Sequence, residues 1–124
     1  PEFSLDDRGP AGVDGWASGF DRRRLRALRR GEIEPDVELD LHGLTRAAAR
    51  WDLRETRAAA VAESARYVVI VHGRGHRSES GPVLRDALPG WLTEEPHAAS
   101  ILAFAAGEAQ RGGATYVLLR RPRP

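Results

Sequence analysis

Hydrophobic and polar positions along this chain follow two periods and one unbroken apolar run. Val37-Glu38-Leu39-Asp40-Leu41-His42 alternates strictly, the mark of a strand with one buried face. Val37, Leu39 and Leu41 share one side of it, and Glu38, Asp40 and His42 the other. Tyr67-Val68-Val69-Ile70-Val71 is an unbroken β-branched run, which predicts a central strand buried on both faces. Ser100 to Phe104 and Ala114 to Leu119 predict two more strands, separated by a glycine-bearing loop over 107–113.

Between the strands the period changes to that of a helix. Residues 46–65 are alanine-rich behind Thr45, a suitable N-cap, with Ala49, Leu53, Ala60 and Val61 as the packing stripe. Arg46, Arg50, Arg54 and Arg57 form a neighbouring stripe, which reads as a solvated face. A second helix opens at Pro82 and carries Val83, Leu84, Ala87, Leu88, Trp91 and Leu92, with Pro89 expected to interrupt and kink it. A short helix over 21–30, between Asp21 and Gly31, can bury only Leu25, Ala27 and Leu28. Residues 1–19 show no period and read as a flexible leader, with Pro1-Glu2-Phe3 as a vector-derived remnant. The element order is therefore β-α-β-α-β-β, one α/β domain over 36–121 with a four-stranded mixed sheet, preceded by the short helix of 20–31.

Composition adds two constraints. Cysteine is absent, which excludes disulfides, thiolate zinc sites and a thiol nucleophile. No apolar run is long enough to span a membrane and no signal-peptide core is visible, so a cytoplasmic location is the default expectation. The formal net charge of +1 hides an uneven distribution. Every positive side chain is arginine, which a GC-rich genome or phosphate recognition would each explain. Residues 20–31 carry six arginines against one acid, Asp21, whereas residues 32–40 carry five acids and no base. Arg22, Arg23, Arg26 and Arg30 are accordingly candidates for contact with nucleic-acid phosphates.

Candidate chemistry collects at strand ends. Asp40 and His42 point to one face, and His42 and His72 each close a predicted strand, where ligands sit in open α/β sheets. Parallel neighbouring strands would bring both histidines into one site. Such a site suits proton transfer near neutral pH, with Asp40 orienting a ring. Gly73 and Gly75 would let backbone N–H groups approach an anion, and Arg74 and Arg77 could hold a phosphate. Hydrolysis or transesterification of a phosphodiester fits these groups. RNA offers its own 2′-hydroxyl as nucleophile, while DNA would need an activated water, for which a divalent metal ion is one route. No cofactor is otherwise implied. Taken singly, each residue has an ordinary structural reading: a strand-capping histidine, an arginine-paired aspartate, turn glycines. His97 is assigned no role. A zinc site lacks helical His spacing, and an acyl hydrolase lacks a nucleophile elbow.

Leu39-Asp40-Leu41-His42-Gly43-Leu44-Thr45 followed by His72-Gly73-Arg74-Gly75 resembles the two-motif signature of the Smr (small MutS-related) domain. Val83-Leu84-Arg85 with Trp91-Leu92 and Gly112-Gly113-Ala114-Thr115 leading into Tyr116 to Leu119 resemble the family's second helix and last strand. The likeness runs from about Arg22 to Arg121 and is closest to stand-alone bacterial members. It implies a two-layer α/β sandwich similar to the C-terminal domain of translation initiation factor three. It also implies nucleic-acid binding and, in some members, endonuclease activity on DNA or on messenger RNA at stalled ribosomes. By position, Asp40 and His42 fall in the motif tied to cleavage, and His72, Gly73, Arg74 and Gly75 in the motif tied to substrate binding or catalysis. The alternative within the same likeness is a non-catalytic adaptor for nucleic acid or the ribosome. The lack of lysine excludes a phosphate-binding nucleotide loop, so no nucleoside triphosphate is expected.

Overall fold

The computed structural model describes residues 2–73, 81–108 and 113–121. A single six-stranded sheet in the order β1-β2-β5-β6-β4-β3 organises them. The strands are β1 (Phe3–Asp7), β2 (Val13–Ala17), β3 (Val37–Asp40), β4 (Tyr67–Val71), β5 (Ile101–Ala106) and β6 (Ala114–Leu119). The helices are α1 (Leu25–Arg30), α2 (Arg46–Ala62) and α3 (Gly81–Leu92). Among the described residues no helix is long and apolar enough to cross a membrane.

The helix-linked pair β3 and β4 is parallel, as a crossover connection requires, and β6 inserts antiparallel between β4 and β5. The fold is thus the mixed α/β arrangement that the sequence implies, with six strands in place of four. The two extra strands are the residues read as a flexible leader. β1 pairs with β2, and β2 adds antiparallel to β5. Their inward positions are filled by Asp14, Gly15 and Ala17, so hydrophobicity does not announce them. Gly15 lies opposite Phe104, and a Cβ there would meet the ring at 2.4 Å.

Alternation along each strand divides the core in two. Leu39, Leu41, Val68, Ile70, Phe104, Val117 and Leu119 face α2 and α3, which contribute Ala49, Leu53, Ala60, Leu84, Leu88, Trp91 and Leu92. Val69, Ala103, Ala105, Tyr116 and Leu118 face the other way, against Leu25 and Leu28 of α1. The short basic helix therefore covers part of the second face instead of merely preceding a two-layer sandwich. An irregularity between Ile101 and Ala103 lets Ile101 and Phe104, three positions apart, lie on the α2–α3 side.

Local chemistry sets the helix boundaries. Asp21 accepts the Arg23 N–H and opens a 3-10 turn, Arg22–Arg24, that feeds α1. Gly31 closes α1 at φ +63, and a Cβ there would stand 2.6 Å from the Tyr116 hydroxyl. Thr45 caps α2 by accepting the Ala48 N–H at 3.2 Å. The helix ends at Ala62, and Val61, expected on the packing stripe, is 41 % exposed. α3 continues through Pro89, where an interruption was expected.

Candidate functional site

β3 stops at Asp40, and Gly43 at φ +78 turns the chain toward α2. In that turn Asp40 Oδ1 accepts the His42 backbone N–H at 3.0 Å and lies 2.6 Å from His42 Nδ1. Both side chains are exposed. The bond from His42 holds the Asp40 carboxyl below its ordinary value. An ionised carboxylate only accepts, so Nδ1 carries the proton of this bond, and Nε2 has no partner among the described residues. This is an oriented acid–base pair on an open surface.

His72 does not join it. Asp40 lies opposite Val71 in the parallel register, and the Leu41 N–H donates to the Val71 carbonyl at 2.7 Å. Continuing that register puts His72 level with Leu41, on the α2–α3 side, one pleat away from Asp40 and His42. His72 is buried and uses both ring nitrogens. Nδ1 donates to the Gly73 carbonyl at 2.9 Å and Nε2 accepts from the Thr115 hydroxyl at 3.1 Å. Burial lowers its pKa, so the ring is neutral. The Gly113 carbonyl takes the His72 and Gly73 N–H groups at 2.8 and 3.0 Å, and Gly73 adopts φ +88. The expected meeting of two histidines is therefore replaced by one exposed Asp–His pair and one histidine that fixes the base of the next loop. Arg74, Gly75 and Arg77 lie outside the described residues.

Asp40 and His42 supply two donors for a cation. Among the described residues no group of three His, Asp or Glu side chains gathers to complete a metal site.

The basic candidates divide. Arg23 is held by Asp21, and Arg30 by Glu32. Arg22 lies over the Trp16 ring at 5.2 Å, and Arg26 is exposed. Arg24, which the sequence reading did not select, lies over Phe20 at 5.1 Å. It also approaches Arg66, whose pKa is lowered by burial and by the charges of Arg121 and Arg24. Three arginines far apart in sequence thus act on one another through their charge. No local pattern signals this, because β4 and β6 bring Arg66 and Arg121 together only through the sheet.

His97 was also missed. It is buried beside α2, where Arg57 Nε donates to its Nδ1 at 3.3 Å. Burial, with help from Arg57, Arg54 and Arg50, pushes its pKa down to about 4. The unfolded chain, with an imidazole near 6.5, binds this proton first. Stability should therefore be level above pH 6.5 and fall as the pH drops toward 4, by about 2 kcal/mol at pH 5 from this residue. Urea unfolding at pH 7.5 and 5 checks it. His97→Gln should remove most of that slope, leaving the share of His72, while the depressed carboxylates Asp21, Asp36 and Asp40 act only at lower pH.

Comparison with known proteins agrees with these motifs. The pattern of the Smr domain matches residues 39–120. The chain is 34 % identical over 115 residues to the ribosome rescue factor SmrB of Yersinia enterocolitica, covering 93 % of this chain and 60 % of that protein. It thus spans under two thirds of that relative's length. Among solved structures it resembles YdaL, a stand-alone small MutS-related protein from Escherichia coli, with a TM-score of 0.70 and 27 % identity over 87 % of this chain and 82 % of that one. It also resembles the Smr domain of Thermus thermophilus MutS2, with a TM-score of 0.57 and 29 % identity over 67 % and 96 % of the two chains.

Proposed function

This chain belongs to the Smr-domain family, and from that premise we propose that it is a nucleic-acid-binding module that docks on RNA at the ribosome. The observation that carries this reading is the arginine surface beside α1. Arg22 and Arg24 are braced over Trp16 and Phe20, Arg26 is exposed in the same segment, and the charges of Arg24 and Arg121 both act on Arg66. Guanidinium groups held over rings present a fixed fork to phosphate oxygens. The name of the Yersinia relative supports a ribosomal partner, and such a partner is in keeping with a cytoplasmic location.

The test is binding of a labelled RNA hairpin by wild type and by an Arg22→Gln/Arg24→Gln/Arg26→Gln variant across a salt series. Each lost phosphate contact should flatten the log–log salt dependence by about 0.7 to 0.9, so the variant's slope should be shallower by roughly two. Equal slopes would remove this surface from the interface.

A second reading is favoured by the Asp40–His42 geometry: endonucleolytic cleavage of a phosphodiester. Asp40 orients the imidazole, and His42 Nε2 is the proton carrier. On RNA, His42 Nε2 takes the proton of a 2′-hydroxyl as its oxygen bonds to phosphorus. The bond to the leaving 5′-oxygen breaks, and that oxygen takes up a proton from solvent. His72 acts here as a positioning residue, because its two hydrogen bonds hold the strand end from which Arg74 and Arg77 would reach the phosphate.

A further inference from the structure

A cavity of about 300 Å³ opens between α2 and the end of α3 with the segment that follows it. Its walls are Arg50, Trp51 and Arg54 from α2 and Trp91, Glu94 and His97 from the other side. Trp51 is 61 % exposed, the most exposed of the large hydrophobic side chains among the described residues. Arg50 is committed: it bonds Glu94 at 3.2 Å and lies over the Trp91 ring at 5.9 Å. Arg54 makes no ion pair among the described residues. An exposed indole beside an unpaired guanidinium, over a cavity of this size, has the composition of a stacking platform for single-stranded nucleic acid.

We propose that this groove takes one unpaired base of a single-stranded RNA on Trp51, with Arg54 on the adjoining phosphate. The proposal rests on the nucleic-acid reading above and adds a second contact to it. The volume is at the low end for ligand sites, room for a base and not for a duplex. Complementarity favours an anion. Arg50, Arg54 and Arg57 all bring positive charge to His97 at the floor of the groove, and the one acid in the wall, Glu94, is already paired. The position is also suitable. Arg50 lies five residues beyond the N-cap Thr45, about 8 Å along the helix, and the turn before Thr45 carries Asp40 and His42. One strand of RNA could touch both places.

The experiment measures binding of a short fluorescein-labelled oligouridylate and of the labelled RNA hairpin to wild type, Trp51→Ala, Trp51→Phe and Arg54→Gln. Trp51→Ala should weaken oligouridylate binding roughly five- to a hundredfold, with a smaller loss for Trp51→Phe. Hairpin binding, which rests on the paired stem at the α1 surface, should change far less. Arg54→Gln should flatten the oligouridylate salt dependence by about 0.7. Both residues are on the surface, so equal thermal midpoints should accompany these changes. Normal hairpin binding with oligouridylate binding indifferent to Trp51 overturns the groove alone and leaves it to a protein partner. Wild type that binds neither RNA overturns the nucleic-acid reading and this one with it.

Discussion

His42→Ala is expected to lower RNA cleavage by about a hundred- to ten-thousandfold, the usual contribution of a positioned acid–base group, while hairpin binding stays within error of wild type. The expectation follows from the turn at the end of β3. His42 is exposed and its only side-chain partner among the described residues is Asp40, so its removal takes away a proton carrier and little packing. The thermal midpoint should hardly move. Asp40→Asn should also lose most activity. The amide oxygen can still accept from the His42 backbone N–H and from Nδ1, but it carries no charge to stabilise the imidazolium that forms when Nε2 takes a proton. Because the bond to His42 depresses the Asp40 carboxyl, ionisation of Asp40 should leave no mark on the rate profile above about pH 4. Parallel reactions with supercoiled plasmid, with magnesium and with a chelator would separate a 2′-hydroxyl mechanism from metal-assisted hydrolysis. Undiminished cleavage by His42→Ala would remove the catalytic reading. A folded wild type that binds RNA and leaves it intact would do the same, and the protein would then be an adaptor.

The two motifs were legible because each ends a segment with its own hydrophobic period. Alternation located β3, a β-branched run located β4, and both placed a histidine at a strand end. Register was not legible. Periodicity fixes which residues share a face within a strand, and a shift of one position between strands moves a side chain to the opposite face. Asp40 pairs with Val71, so His42 and His72 diverge although both follow strand ends. The β1–β2 hairpin was hidden for a different reason. Its buried positions hold an aspartate, a glycine and an alanine, which by composition read as a loop. The groove residues Trp51 and His97 belong to no local pattern. Trp51 lies beside the arginine stripe and off the packing stripe, and His97 becomes buried only when α2 packs beside it. Arg66 and Arg121 are likewise isolated arginines until β4 and β6 pair.

The buried aspartate of that hairpin should prove costly to remove. Asp14 is fully buried and joins three parts of the chain. Its Oδ2 takes Arg29 Nε of α1 at 2.7 Å, and its Oδ1 takes Arg8 Nη2 at 3.1 Å and the Ala106 N–H at 3.0 Å. Arg8 Nη2 also reaches the Ala106 carbonyl at 2.8 Å, while Arg8 Nε, 3.0 Å from Oδ2, is out of line for a hydrogen bond. Asp14→Ala would leave two guanidiniums and a backbone N–H facing a cavity without their shared acceptor. Breaking a buried pair in this way costs about 3–5 kcal/mol, and the partial exposure of both arginines argues for the lower half of that range. Asp14→Asn keeps the shape and one acceptor, so its cost should be smaller. Urea unfolding measures the total, and hydrogen exchange at β1 and β2 shows where it is lost. Because Arg29 ties α1 to this carboxylate, hairpin binding should weaken in Asp14→Ala under conditions where the sheet is still folded, as α1 with Arg22, Arg24 and Arg26 loses its anchor. A loss below about 1 kcal/mol, within the range of an exposed ion pair, would mean that water already shares the cluster and that the hairpin is held by its backbone pairing with β5 alone.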